Sequence, residues 1–542
     1  MIIFRFFSDG LSDKLLDSLE RFIFGRIDVK KKACFIAFFA LAALLWTPAA
    51  AQDKQVLNLG LEEAIGKALK NNLNVAVEML NPRLADISVT KAREVFQPRF
   101  ELSYGRNRQE SPSYWFIQGA GTSVNKMLDY GLSIVEAVPT GGNFSLSLQN
   151  YKSETNQPFQ LINPRYGSTL RVDFTQPLLK NFGPKIARRQ ILLAENSLDI
   201  SELQLRGTMI DTIYFVQEAY WNYVYAIENA EVKKKSLKLG RDLLDKNRKE
   251  VEFGQLAPIE ILTAESVVAQ READLIQAEG LIARSEELLK TMINLSAEGD
   301  ARSKTLVPVD KPDYQETKIG FDQALKEAME RRPDLKILQK SLDAKELNLT
   351  VAKNQTLPGL DLLLSYWSPG ISGDQLIYAG DNVFGGTVIG KIPGSAGNSL
   401  KDALKLLYQN WNVGLTLSIP LSTFTTKADL TYAKMDLGQG QIRLKNLEQQ
   451  VALDVSDAVR AMETNAKRVN AYRVARELAE KSLDAEEKKL KVGLSTNYFV
   501  LEFQDKLANA RSMELRAKLD HILSVERLEK AMGLSLEKRN IK

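Results

Sequence analysis

The chain has 542 residues, 44% hydrophobic and 26% charged, with a net charge of +4. Those totals exclude disorder and a helical multi-span membrane protein, and they are too weakly basic for a nucleic-acid binder that works by counterion release. One cysteine, Cys34, and one histidine, His521, allow neither a disulfide framework nor a Cys/His zinc site, so no metal or cofactor is expected. His521 lies in "LDHILSVERLEK" and reads as a surface or coiled-coil histidine. Hydrolytic and redox chemistry is disfavoured; only carboxylate-based catalysis survives this filter.

Residues 1–51 read as an N-terminal extension and secretory signal peptide. A basic cluster at Lys30–Lys32 precedes an apolar run from Ala33 to Trp46. Ala49-Ala50-Ala51 then forms an A-x-A cleavage site before Gln52. The run is too short to span a bilayer as a mature helix. Cys34 stands at the start of that run, so lipoprotein processing is not expected. Cleavage would leave a cysteine-free chain suited to an oxidising compartment. The residues up to Asp28 fit no signal-peptide n-region, which raises Val29 as an alternative start.

The chain then repeats itself. "LGLEEAIGKALKNNLNVAVEML" from Leu59 matches "IGFDQALKEAMERRPDLKILQK" from Ile319. Gly60 pairs with Gly320 and Pro98 with Pro358, each 260 positions apart (320 − 60, 358 − 98). Further on, Pro177 pairs with Pro420, and Gly254 with Gly493. We expect a first repeat over 52–305, a connector over 306–318, a second repeat over 319–535 and a tail over 536–542. A period this long points to duplication of a whole domain rather than a solenoid.

Each repeat reads as helix, strands, then a long helical hairpin. "FELSY", "TLRVDFTQ" and "WNVGLTLSI" alternate apolar and polar residues. They place strands near 98–108 and 168–177 in the first repeat, and near 358–367 and 411–420 in the second. An extra hairpin is expected over 128–151. Segments 105–127 and 371–410, rich in Gly, Ser and Asn, read as outward loops. The alternation suits a transmembrane barrel and equally any half-buried sheet. The signal peptide and the lack of a transmembrane helix favour the barrel.

Apolar residues at Val216, Ala219, Tyr223 and Ala226, and at Val451, Val455, Ala458 and Met462, step by three and four. That is the coiled-coil period. Roughly seventy helical residues would extend about 100 Å, so such helices can bury their stripes only against one another. "EFGQLAPIEILTAE" and "KVGLSTNYFVLEFQ" interrupt them. Gly254 and Gly493 suit a left-handed helix terminator, with tips expected near 254–258 and 493–497. Ser495, Thr496 or Asn497 can cap the next helix, and Pro258 suits its first turn.

A signal peptide, two halves of helix, strands and long helices, paired tip motifs and "QPLL" or "IPL" at strand-to-helix junctions together resemble the outer-membrane efflux proteins, the TolC-like channels. The resemblance implies an α+β membrane protein that works as a homotrimer. Each protomer would give four strands to a shared twelve-stranded transmembrane β-barrel in outer-membrane lipid, and long coiled-coil helices to a periplasmic α-barrel. It implies an outer-membrane exit channel for tripartite efflux or type I secretion. The partners would be a periplasmic adaptor protein and an inner-membrane transporter, with no catalysis and no nucleic acid. The adaptor would dock on the tips, through Phe253, Gly254, Gln255 and Leu256 and through Val492, Gly493, Leu494, Ser495 and Thr496.

Family rings of aspartate that close the periplasmic end align here with Phe499 and Glu502, and in the first repeat with Glu260 and Thr263. A constriction built from Glu260 and Glu502 would select cations; solvated helix-face glutamates are the plainer reading. Family residues that lock the closed state align with Ser495 and Leu490, which leaves that network unsupported. The competing function is a structural coiled-coil envelope protein that bridges membrane and periplasm without conducting.

Overall fold

The structure is a computed structural model that describes residues 56–114, 121–296, 303–314, 317–381 and 387–541. The expected signal peptide lies outside the described residues. The chain divides into two compact units, residues 1–58 with 300–307 and residues 59–299 with 308–542. In the first, β1 (Val56–Leu59) pairs with β6 (Thr305–Pro308).

The second unit begins with α1 (Leu61–Asn71), α2 (Leu73–Glu78) and α3 (Leu80–Arg93). Asn72 breaks the first pair and caps α2, its side chain accepting from the amides of Asn74 and Val75. Four long strands follow: β2 (Arg99–Pro112), β3 (Thr122–Ala137), β4 (Asn143–Thr155) and β5 (Ile162–Pro177). A single helical turn at Pro184–Ala187 then leads into α4 (Arg189–Glu252) and α5 (Ile259–Met292). The second series is α6 (Phe321–Arg331), α7 (Pro333–Gln355), β7 (Gly359–Tyr378), β8 (Val388–Ile392), α8 (Ala396–Leu404), β9 (Asn410–Ser418), α9 (Phe424–Lys491) and α10 (Asn497–Met532). No helix among the described residues is long and apolar enough to cross a membrane.

The strands form one antiparallel sheet in the order β2-β3-β4-β5-β7. Along the free side of β7, β9 pairs with residues 359–367 and β8 with residues 375–378. Registration sorts the side chains by face. One row crosses six strands as Phe100, Ile134, Leu146, Val172, Tyr366 and Trp411. The row one residue away reads Arg99, Val135, Ser145, Asp173, Ser365 and Asn412. The first of these rows is apolar across all six strands and the second is mostly polar. On the polar face Arg171 holds Asp173 at 2.8 Å and lies over the Trp367 ring.

Two expectations change. The four strands per protomer implied by the resemblance are six long ones. The additional pair, β3 and β4, covers the expected hairpin 128–151 and inserts between β2 and β5. The segments expected as loops at 105–127 and 371–410 are largely ordered. β2 runs on to Pro112, β3 starts at Thr122, and β7 reaches Tyr378 before β8 and α8. Glycine and serine there tolerate close strand and helix neighbours, so composition misled. His521, read as a surface or coiled-coil residue, is buried in α10 with its ring 5.0 Å from that of Tyr314, which leaves the coiled-coil reading. Within the expected tail, Arg539 pairs with Glu62 and Glu526.

Proline marks the junctions. Pro98 immediately precedes β2, Pro358 precedes β7, Pro177 ends β5 and Pro420 follows β9. With no amide hydrogen, proline suits the places where a ladder ends. At the helical end of the sheet, α6, α7, α9 and α10 share a core built on Ala324, Ala328, Leu335, Val451, Val455 and Met462. The small residues let the axes approach, while the stripe of α9 supplies the bulk. Met462→Ala should cost about 2–5 kcal/mol through the cavity it leaves. A lowered denaturation midpoint of the helical circular dichroism signal checks this.

Candidate functional site

The two long hairpins end together. Near their turns α4, α5, α9 and α10 share a core of Leu243, Leu244, Ala264, Leu483, Val500 and Leu501. Leu490 packs against it. The two turns are closed the same way. In the first, Gly254 has φ +70° and the amide of Gln255 donates to the Glu250 carbonyl at 2.8 Å. In the second, Gly493 has φ +76° and the amide of Leu494 donates to the Lys489 carbonyl at 2.9 Å. Each is a left-handed residue followed by a bond spanning six residues, the helix stop that glycine permits.

Capping differs from expectation. Thr496 occupies the N-cap of α10 without a side-chain cap bond. Ser495 instead gives its hydroxyl to the Glu486 carboxylate, which Lys489 also holds at 3.0 Å. A charge-assisted bond outcompetes a neutral backbone amide. Pro258 stands at the N-cap of α5 rather than inside its first turn.

The tips expose apolar side chains to solvent. Phe253 is 76% exposed, Leu494 78% and Val492 69%. Gln255 is exposed beside them and Leu256 is half-buried. Just beyond, Phe499 is exposed and meets Tyr498 edge to face at 5.6 Å. Glu260 lies in the first turn of α5, with its carbonyl 3.4 Å from the Asn247 side chain of α4. Thr263 returns its hydroxyl to the Ile259 carbonyl. Glu502, in the second turn of α10, is engaged by Lys506 at 2.6 Å within the same chain. That pairing reduces the charge Glu502 can present. The described contacts include no bond between Glu260 and Glu502.

The dominant polar node was not among the expected residues. Arg271 of α5 is 4% exposed. Its guanidinium reaches the Ser236 carbonyl on α4 at 2.8 Å. On α10 it reaches Gln504 Oε1 at 3.0 Å, the Leu501 carbonyl at 3.2 Å and Asp505 at 2.9 Å. One side chain thus ties both hairpins together just behind their tips. Gly240 makes the room, since a Cβ there would lie 3.0 Å from Arg271 Nη1. A signal was present: Ala264, Arg271, Ala278 and Ser285 are buried at strict seven-residue spacing, which sets the arginine in a core position of the α5 heptad. Glu486, buried beside Leu483 on α9, was overlooked for the same reason.

Arg271→Ala should loosen the tips by roughly 1–3 kcal/mol, because the facing acceptors lose their donor. Faster hydrogen exchange and proteolysis around residues 253–257 and 492–496 would report it. Arg271→Lys should recover little, since one ammonium cannot serve four acceptors in a plane. The Glu486 carboxyl titrates below the usual carboxylate range because it accepts from Ser495 and, secondarily, from Lys489. A depressed acid stabilises the fold above its unfolded value and loses that contribution as pH falls through the folded value. The second tip should therefore loosen only in acid below the ordinary carboxylate range. Ser495→Ala should move that midpoint upward in hydrogen exchange measured against pH.

Comparison with known proteins agrees with this geometry. Residues 324–534 match the profile of a family described as outer membrane efflux protein. The chain is 21% identical over 376 residues to a probable efflux pump outer membrane protein, TtgC, of Pseudomonas putida, covering 69% of this chain and 70% of the relative. It is 24% identical over 352 residues to the outer membrane protein TolC of Escherichia coli, covering 64% and 66%. The fold matches the crystal structure of the Campylobacter jejuni CmeC outer membrane channel with a TM-score of 0.60 and 15% identity, covering 89% of this chain and 88% of that one.

Proposed function

We propose that this relative of the outer membrane efflux proteins is a passive exit duct of the outer membrane. It would be engaged from the periplasm by an adaptor and an inner-membrane transporter. The observation that carries the proposal is the two-faced sheet: one apolar face and one mostly polar face, across six strands, with a free edge at β2 and another at β9. Lipid cannot satisfy an open edge, so the edges must close on other copies of the chain. Three copies would give eighteen strands (3 × 6) in place of the family's twelve. Barrel diameter grows roughly linearly with strand number, so the bore would widen in proportion. The polar face then lines the lumen and the long helices project into the periplasm.

The two series of elements support a duplicated unit. Gly60 and Gly320 both stand at N-caps in extended conformation, and the two tips close with equivalent bonds. Six tips per trimer, each with a solvent-exposed apolar apex, suit docking to an adaptor ring. Glu260, Glu502, Phe499 and Thr263 would line the narrow entrance. The cargo is chosen by the pump rather than by the duct.

Membrane-extracted protein reconstituted in planar bilayers should show a stable conductance, with cation selectivity reduced by Glu260→Gln together with Glu502→Gln. A trimer that never conducts would favour the structural envelope reading. Gly493→Pro should abolish export and leave the trimer assembled, because proline cannot adopt the positive φ the turn requires. Loss of the trimer would instead make the tip a folding element.

A further inference from the structure

The apolar face of the sheet has a gap, and a helix fills it. Toward the end of the sheet far from the long helices, one row reads Leu102, Leu132, Leu148 and Leu170 across β2 to β5. On β7 the same row ends in Ser368. The next row begins Tyr104 and Tyr130, turns polar at Asn150 and finishes Ser168 and Gly370. Where large apolar residues give way to small ones, α8 is seated. The Ser399 hydroxyl lies 3.0 Å from that of Ser168. A Cβ at Gly370 would fall 2.0 Å from the Ser399 carbonyl oxygen and 2.8 Å from the Ala403 amide. Ser168, Ser368, Ser399 and Ala403 are all buried.

α8 contacts both β5 and β7, and the chain then enters β9 at Asn410. The exposed side of α8 and the turn after it carry what the sheet lacks. Leu404, Leu407 and Tyr408 are 54%, 59% and 55% exposed, and Lys401 and Lys405 are exposed beside them. Leucine and tyrosine next to lysine, on a short helix and the turn after it packed on an apolar sheet face, is the pattern of a segment at the boundary between headgroups and acyl chains.

We propose that α8 and the turn after it are a lipid-contacting strap. Resting on the duct reading above, they lie on the outside of the barrel at the rim of the apolar band. There Leu404 and Leu407 contact acyl chains, while Lys401 and Lys405 stand among anionic headgroups. The helix restores the band that Ser168, Ser368 and Gly370 interrupt. Its occupant is lipid because the helix shares the face, and the rows, of the residues that meet lipid directly.

Nitroxide labels at Leu404→Cys and Leu407→Cys test this. The background is the full chain with Cys34→Ser, reconstituted in vesicles of phosphatidylcholine and phosphatidylglycerol. Leu415→Cys on the apolar face and Asn412→Cys on the polar face are the references. Both α8 labels should relax with oxygen several-fold more readily than with a water-soluble nickel complex, as at 415, and opposite to 412. A nickel-rich signal at 404 and 407 with 415 still oxygen-rich would overturn the strap and leave the duct standing. Shielding of both labels from both reagents would also overturn it, since a neighbouring copy would then cover the helix. A nickel-rich signal at 415 would bring down both readings.

Discussion

The unpaired backbone along β2 and β9 is the constraint from which the rest follows. A sheet with one apolar face is at home against lipid, but its outer strands still present amide and carbonyl groups that hydrocarbon cannot satisfy. Only closure removes them. If copies of this chain close the sheet as proposed, closure imposes rotational symmetry on everything attached to it, and the helices joined to the strands near Pro98, Pro177, Pro358 and Pro420 would form a ring of the same order. The sheet would thereby dictate the arrangement of helices that never touch lipid.

The helical part has a different problem. Helices of 64 and 68 residues have too much length for local packing to hold their far ends. At the sheet end the short helices α6 and α7 wedge against α9 and α10. At the other end there is no such support, and the hairpins rely on a small apolar core with Arg271 set through it. A buried cation with four partners stabilises little beyond an apolar substitute of equal volume, yet it tolerates only one registration of the helices. Its placement behind the tips fixes how the two apices sit beside each other.

Much of this was legible in the residues. Strand alternation, prolines at the junctions and the glycine turns followed from short-range rules, and the structure has strands, prolines and turns at those places. The strand extensions beyond 108 and 367 were not legible. Gly105, Gly370 and Ser368 carry no apolar alternation, and their meaning lies in what packs on them. Arg271 and Glu486 were missed because charged residues in a long helix are normally solvated. Only the heptad spacing around Arg271 distinguished it. The pairing of Glu502 with Lys506, four residues on, was written in the sequence and bears directly on how much charge an entrance ring can hold.

The turns at Gly254 and Gly493 demand a positive φ, but nothing lies within 4 Å of where a Cβ would point. The requirement is on backbone shape alone, and asparagine meets it at modest cost. Neighbours such as Phe253 and Leu494 contribute nothing to the core. Their identities are therefore free to drift without unfolding the hairpins. On the docking reading, such a site would let a lineage exchange one partner for another by changing a few exposed side chains, while the helices behind them stay the same.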